Sequence, residues 1–331
     1  MARSSRVFNL LYILCTTLFI GGLYFDGWSH LYRFQEIDTF FNIYHVPLEA
    51  GYLSTTLTLL AWTFSRKTKN QSWQDAIPAG HGLSLLGCML FGIGTLLDIT
   101  WHEVFGFEQG VEGLISPSHL MLATGMWFAL SGGARHLLQT RTTGYPSFVC
   151  ALPVLLSTTY TMMLMIFLTH YGRYTEILIR GIPPDPMGGY YEQMLAILGV
   201  LVFSAIFMGS LSFVMKHIRL PLGSVTLLLV TQITALTLIR AGLNLVPSAI
   251  IAGVIGDIAL YAYQERGLPR SWWPGIGFLL PSMYYAIALL IIFFTDGIWW
   301  SVHLWTGLPV LAGFSGALTS FLATGTGERE K

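Results

Sequence analysis

Long apolar runs, separated by short polar connections, fill almost the whole chain. A helix that crosses the hydrocarbon core of a bilayer needs about 20 mostly apolar residues. Runs of that length occur ten times in the sequence. They cover residues 7–25, 46–64, 81–100, 118–136, 148–169, 191–215, 222–240, 245–263, 274–295 and 303–323. The pattern predicts an all-α, polytopic membrane protein with about ten transmembrane helices.

Composition leads to the same class of protein. Of the 331 residues, 53% are hydrophobic and only 10% are charged, and the mean hydropathy is +0.62. These values exclude a soluble globular domain. Because the chain has no long hydrophilic segment, we expect residues 1–331 to form a single transmembrane domain in the lipid bilayer. Basic and acidic residues balance at 17 each, so no nucleic-acid partner is expected.

Lys and Arg residues cluster in every second connection. Basic loops of this kind face the cytoplasm, so we expect both termini to be cytoplasmic. No small-residue cleavage site precedes Asp26, so the first span is expected to be retained as a helix. We expect a multi-pass protein of a bacterial or archaeal cytoplasmic membrane. The basic positions are Arg3, Arg6, Arg66, Lys67, Lys69, Arg135, Arg141, Lys216, Arg219, Arg266, Arg270, Arg329 and Lys331.

One block of Asp and His residues occurs twice, at the opposite, extracytoplasmic ends of the first four spans. In each copy an Asp precedes a His by four residues, and a further His begins the next span. The two copies are Asp26, His30 and His45, and Asp98, His102 and His119. Their offsets are 98 − 26 = 72, 102 − 30 = 72 and 119 − 45 = 74. This near-constant offset indicates that the first four spans are repeated helical hairpins.

Each copy of the block can direct three ligands to one point. Side chains at positions i and i+4 share a helix face, and the returning helix brings the last His to the same level. An ionisable side chain at membrane depth costs about 2.5–3.5 kcal/mol, so such groups are paired, water-facing or functional. Three N and O ligands form a metal site with room for water or substrate. We therefore predict a duplicated metal site facing outward. The alternative is Asp–His hydrogen bonding at a wet interface.

The repeat continues in weaker form along the chain. Its divisions are residues 7–64 and 81–136 for two hairpins, 148–215 for a degenerate third copy and 222–323 for the C-terminal helices. In the third copy, similar offsets reach His170 and Glu192. These two residues are candidates for a second site.

Further polar residues are candidates for a second site or for supporting the first. Glu49 follows His45 by one helical turn, so it can be a ligand, a group that orients the His, or a satisfied interior carboxyl. Asp296 and His303 flank the turn between the last two spans, where they can be ligands or part of the aromatic interface. The second outer connection contains three acidic residues that are expected to be solvated: Glu103, Glu108 and Glu112. The histidines expected at the cytoplasmic interface are His81, His136 and His217.

The repeated block resembles the copper-ligand pattern of the C subunit of the copper membrane monooxygenases, which oxidise methane and ammonia. That subunit also carries its pattern more than once. The matching positions lie between residues 26 and 119, with 14 and 16 residues before the last His of each copy. The resemblance implies copper and an oxidative reaction, and ten spans exceed what it implies for that subunit.

We therefore predict a metal-dependent membrane oxidoreductase of the monooxygenase or hydroxylase type, acting on a small or lipophilic substrate. Copper is the favoured metal, with iron and zinc as alternatives. In this function the histidines hold the metal, and the two Asp residues complete the coordination or orient an imidazole. The sequence is compatible with partner subunits and with a homo-oligomer.

Two other functions are compatible with the same ligands. A zinc-dependent intramembrane lipid hydrolase would use Glu49 or Glu103 as a base. A metal transporter or metal-site assembly protein would need a polar path through the bilayer, for which the sequence offers mainly Asp257 and Arg240. These two residues could equally form a structural pair.

Overall fold

The computed structural model describes residues 2–33, 43–106, 108, 110–140, 147–169, 177, 188–239 and 245–325. Within these ranges the regular secondary structure is entirely helical. The helices are α1 (Ala2–Tyr32), α2 (Val46–Arg66), α3 (Trp73–Ala76), α4 (Gly82–Phe105), α5 (Glu112–Ile115), α6 (Pro117–Leu130), α7 (Gly132–Thr140), α8 (Phe148–Thr169), α9 (Gly188–Met215), α10 (Ser224–Ile239), α11 (Val246–Glu265), α12 (Trp273–Thr295) and α13 (Val302–Gly325). The all-α class predicted from the hydrophobic pattern is confirmed.

Seven of the described helices are long and apolar enough to cross a membrane. They are α1, α4, α8, α9, α11, α12 and α13. Many of their large apolar side chains are exposed on the protein surface, as expected for helices that face lipid. The chain is a multi-pass membrane protein.

Three predicted spans are not among these seven helices. The helix α2 has 21 residues but includes Glu49 and several Ser and Thr residues, and α10 has only 16 residues. The span predicted at 118–136 is divided at Ser131 into α6 and α7. Backbone hydrogen bonds connect Ser131 to both helices. Ser131 N donates to Trp127 O at 3.1 Å, and Arg135 N donates to Ser131 O at 3.1 Å. The count of ten spans stays a prediction.

The chain divides into two compact units. The first comprises Met1–Thr142 and Leu152–Leu168, and the second comprises Thr143–Ala151 and Thr169–Lys331. The first unit contains α1 to α7 and most of α8, and therefore both copies of the Asp and His block. The second contains α9 to α13.

Small residues set the spacing within the two hairpins of the first unit. A Cβ atom placed on Gly22 of α1 would overlap the backbone of Leu48 on α2. At the matching place in the second hairpin, a Cβ atom on Gly94 would lie 3.0 Å from Leu122 Cδ2. The offsets are 94 − 22 = 72 and 122 − 48 = 74, the same as those of the Asp and His residues. The two hairpins thus share a packing contact as well as a sequence block.

A second glycine contact is repeated in the same way. A Cβ atom on Gly51 of α2 would overlap the backbone of Phe19 on α1, and one on Gly125 of α6 would lie 2.6 Å from Phe91 N on α4. The offsets are again 125 − 51 = 74 and 91 − 19 = 72. Close helix approach at small residues is typical of membrane hairpins. Both glycine contacts therefore fix the returning helix against the helix that carries the Asp.

Aromatic side chains join the two hairpins to each other. The Phe19 and Phe91 rings meet edge to face with centroids 4.8 Å apart, and the Tyr52 ring lies 4.8 Å from that of Phe91. Phe19 and Phe91 are both almost completely buried. Tyr52 Oη also lies against the backbone at Gly92, so α2 packs beside α4. This contact brings the ends of both hairpins into one region of the unit.

The other end of the first unit contains a hydrogen-bonded arginine. Arg135 donates from Nε to Gly80 O at 3.0 Å and from NH2 to Phe128 O at 2.7 Å. His81, which was expected at the interface, is only 1% exposed and packs edge to face against the Tyr12 ring. These contacts give Arg135 and His81 structural roles at the ends of α4 and α6.

Asp257 of the second unit caps a helix. Its carboxylate accepts hydrogen bonds from Val225 N at 2.8 Å, from Thr226 N at 3.1 Å and from Thr226 Oγ1 at 2.6 Å. These donors lie in the first turn of α10, whose backbone N–H groups have no partner within the helix. Arg240, its proposed partner, lies outside the described residues. Asp257 therefore has a structural role as a helix cap.

Candidate metal centre

The first triad, defined as Asp26, His30 and His45, forms where α1 ends and α2 begins. The helix α1 continues to Tyr32, so Asp26 and His30 lie on one face of its last turns. His30 Nε2 lies 3.6 Å from Asp26 Oδ1, and His45 Nε2 lies 3.1 Å from the same oxygen. The side chains of Asp26 and His45 are 15% exposed, and that of His30 is 36% exposed.

The second triad, defined as Asp98, His102 and His119, repeats this arrangement between α4 and α6. His102 Nε2 lies 3.3 Å from Asp98 Oδ2, and His119 Nε2 lies 3.7 Å from Asp98 Oδ1. The Asp98 side chain is 5% exposed and that of His102 is 10% exposed. The second triad is therefore more enclosed than the first.

The distances within each triad match those between ligands of one metal ion. All three candidate ligand atoms of a triad lie within 4.8 Å of one another. Zinc–ligand distances of about 2.0–2.2 Å place neighbouring N and O ligands about 3–3.5 Å apart, close to the 3.1–3.7 Å that separates Nε2 from the carboxylate here. Each imidazole directs Nε2 toward the Asp. The two triads thus have the donor set and spacing of open metal sites.

Hydrogen bonding in the triads also favours a cation. The Oδ1 atoms of Asp26 and Asp98 are buried, and no described donor is aligned for a hydrogen bond to either, although His45 Nε2 lies 3.1 Å from the first and His119 Nε2 lies 3.7 Å from the second. A buried acceptor without a partner costs about 1–3 kcal/mol, and more if it is charged. A metal ion between the carboxylate and the imidazoles would remove this cost, so the residues present fit a bound metal.

Glu108 and Ser116 lie behind the two histidines of the second triad. Its Oε2 lies 3.1 Å from His102 Nδ1, and its Oε1 lies 3.8 Å from His119 Nδ1. Ser116 Oγ lies 2.6 Å from His119 Nδ1 and accepts from His119 N at 3.4 Å. A carboxylate on the outer nitrogen of an imidazole fixes the tautomer and ring orientation of a metal ligand. Glu108 can therefore orient the His102 imidazole and Ser116 that of His119, with both Nε2 atoms directed toward the Asp98 carboxylate.

The position of Glu108 was not predicted from the sequence. This residue was expected to be solvated with the other acidic residues of the loop, whereas its side chain is only 9% exposed. Glu103 and Glu112 are exposed, as expected. The signal that distinguishes Glu108 is its position between His102 and His119, but the fold of the connection decides which of the three carboxylates turns inward.

Replacing Glu108 by glutamine is expected to weaken metal binding at the second triad by about 10- to 100-fold. An amide oxygen accepts from the His102 imidazole less strongly than a carboxylate does, so this ring loses its fixed orientation. Competition titration against a chromogenic chelator measures this change. The Glu112→Gln variant is the matched control, since that carboxylate is exposed, and equal affinity in the two variants would contradict the assigned role.

The two triads lie close enough for their charges to interact. The His30 imidazole of the first triad interacts electrostatically with His102 and His119 of the second. The Glu49 carboxylate interacts with His45 and Asp26 of the first triad and with Asp98 of the second. Glu49 is thus a further candidate from the sequence whose charge interacts with both triads.

The remaining candidates belong to the second compact unit or lie outside the described residues. His170 is outside them. Glu192 lies in the first turns of α9 and is partly buried. Asp296 and His303 are exposed, and Asp296 accepts from Thr295 Oγ1 at 2.6 Å. Neither Asp296 nor His303 belongs to a group of three or more possible metal ligands among the described residues, and their role as ligands stays a prediction.

Comparison of the chain with protein-family models, curated proteins and solved structures gives no match. The function is therefore inferred from the two triads and from the membrane helices that hold them.

Proposed function

We propose that this protein is a metal-dependent membrane oxidoreductase of the monooxygenase or hydroxylase type. The observation that carries the proposal is the convergence of two Asp/His/His triads, each with its ligand atoms within 4.8 Å of one another. Two imidazoles and one carboxylate leave coordination positions open, as in non-haem iron oxygenases. Copper is favoured over iron by the resemblance to the copper membrane monooxygenases.

The chain's own residues hold and orient the metal in this proposal. Nε2 atoms of His30, His45, His102 and His119 are the nitrogen ligands, and the carboxylates of Asp26 and Asp98 supply oxygen and negative charge. Glu108 orients the His102 imidazole and Ser116 that of His119. When bound, a redox-active ion with an open position would supply the oxidative chemistry.

The position of the triads at helix ends favours a small or lipophilic substrate. Both triads use the last turns of helices that can cross a membrane, so the centre lies near a bilayer surface. The Phe25, Trp28 and Tyr44 rings pack together beside the first triad, as aromatic side chains do at membrane interfaces. The basic connections support ten spans, cytoplasmic termini and a centre on the outer side.

A zinc-dependent intramembrane lipid hydrolase is the second candidate. Glu49 favours it, because a carboxylate beside the ligands but outside the triads can act as a general base toward a metal-bound water. Transport is less favoured, since the Asp257 carboxylate that a polar path would need is already hydrogen-bonded to the start of α10.

Metal analysis of the protein tests the proposal. The chain is purified in detergent without a metal-chelating resin, and copper, iron and zinc are measured per chain. Stoichiometric copper or iron that is reduced by dithionite and reoxidised by oxygen supports the oxidoreductase. Stoichiometric zinc overturns it in favour of the hydrolase, and no bound metal after incubation with each ion overturns both.

A further inference from the structure

We propose that the two triads form one two-metal centre and that the Glu49 carboxylate is a ligand shared by both ions. This inference rests on the metal assignment in the proposed function and specifies how the two sites are connected. The Asp and His residues alone are compatible with two separate mononuclear sites, so Glu49 is the deciding residue.

Helix packing directs Glu49 toward the second triad. Tyr52 lies three residues after Glu49 on α2, so their side chains share one helix face. Tyr52 packs on Phe91 and against the Gly92 backbone of α4. The helix α4 continues from Gly92 to the buried Asp98. The face of α2 that carries Glu49 therefore points to the helix that carries the Asp98 carboxylate.

The position of Glu49 one helical turn after His45 places it near the first triad. Glu49 follows His45 by four residues, and Glu49 N donates to His45 O at 3.0 Å. Its carboxylate interacts electrostatically with both His45 and Asp26, as well as with Asp98. The charge of one side chain on α2 therefore interacts with groups of both triads.

Glu49 breaks the symmetry of the repeat. With the offset of 74 that relates His45 to His119, its counterpart in the second hairpin is Ala123. A ligand that belongs to one triad would be expected in both hairpins, whereas a ligand shared between two ions is needed only once. The single glutamate is therefore consistent with a bridging role.

Charge balance favours two divalent ions in the centre. Four carboxylates contact or interact with the histidines: Asp26, Asp98, Glu49 and Glu108. Two divalent cations and neutral imidazoles would neutralise these four negative charges. Net charge is costly near the low-dielectric interior of a membrane, so a neutral two-metal centre is more stable than one with a single ion.

Electron paramagnetic resonance of the Cu²⁺-loaded protein tests this inference. We expect the parent chain to bind two equivalents of Cu²⁺, with spin coupling between the ions that reduces or broadens the signal of isolated Cu²⁺. In Glu49→Gln, the second equivalent should bind about tenfold more weakly or worse, and the signal of isolated ions should increase. The exposed Glu112→Gln variant should behave as the parent does.

The outcomes separate this inference from the proposed function. Two bound ions without coupling in the parent, or coupling unchanged in Glu49→Gln, would overturn the shared centre and leave the metal sites intact. A parent that binds no Cu²⁺ at either triad would overturn the metal assignment itself. If Glu49→Gln does not fold, the parent spectrum still decides between coupled and separate ions, and Glu49→Asp provides the second variant.

Discussion

Replacing His102 by alanine is expected to halve the metal bound per chain and to abolish activity that depends on the second triad. His102 supplies one of three ligand atoms, and its Nε2 lies 3.3 Å from Asp98 Oδ2. Its removal leaves one imidazole and a 5% exposed carboxylate, too few ligands for an ion at this position. Loss of a group that only orients a ligand lowers metal affinity by about 10- to 100-fold. Loss of a ligand itself should lower the affinity by more than that.

Elemental analysis of His102→Ala beside His217→Ala measures this effect. His217 is exposed and its Nδ1 lies 2.7 Å from Phe213 O on its own helix. The His217→Ala variant should keep the metal content of the parent. Equal metal in the parent and both variants would exclude the second triad as a binding site.

Replacing Gly22 by alanine is expected to separate α1 from α2 and to weaken the first triad. The new methyl group would overlap the Leu48 backbone and lie 2.6 Å from Pro47 C. Backbone atoms cannot move aside as a flexible side chain can, and overpacking of this kind costs about 1–3 kcal/mol or more. We expect a fall in melting temperature in detergent of about 5 °C, together with weaker metal binding at Asp26, His30 and His45.

The neighbouring glycine provides the control for this substitution. A Cβ atom on Gly21 would have no atom within 4 Å, so Gly21→Ala should keep the parent's metal affinity and change stability by no more than about 1 kcal/mol through helix propensity. Similar losses in both variants would show that close helix packing does not position the triad.

The triads could be predicted from the sequence because their geometry is local. An Asp and a His four residues apart share a helix face wherever the helix lies, and a short connection returns the chain to the same level. The count of ten spans is not confirmed, since the apolar run at 118–136 is divided at Ser131 into α6 and α7. Hydrophobicity alone does not report such an interruption.

The role of Glu108 could not be predicted, because it depends on the path of a short connection. Gly106 and Gly110 adopt positive φ angles of 82° and 63°, a region that favours glycine. These turns lie on either side of Glu108, whose carboxylate lies behind the two imidazoles. Glu49 was predicted as a candidate, but its interaction with the second triad depends on how α2 packs against α4.

The ring contact between Phe19 and Phe91 has a consequence for the symmetry of the unit. These two residues occupy equivalent positions in the two hairpins, and they touch each other. A residue that meets its own equivalent lies near a twofold axis, as in an isologous interface of a symmetric dimer. The first unit therefore has the geometry of two equivalent hairpins paired about a local twofold axis. The symmetry is inexact, since Glu49 of one hairpin corresponds to Ala123 of the other.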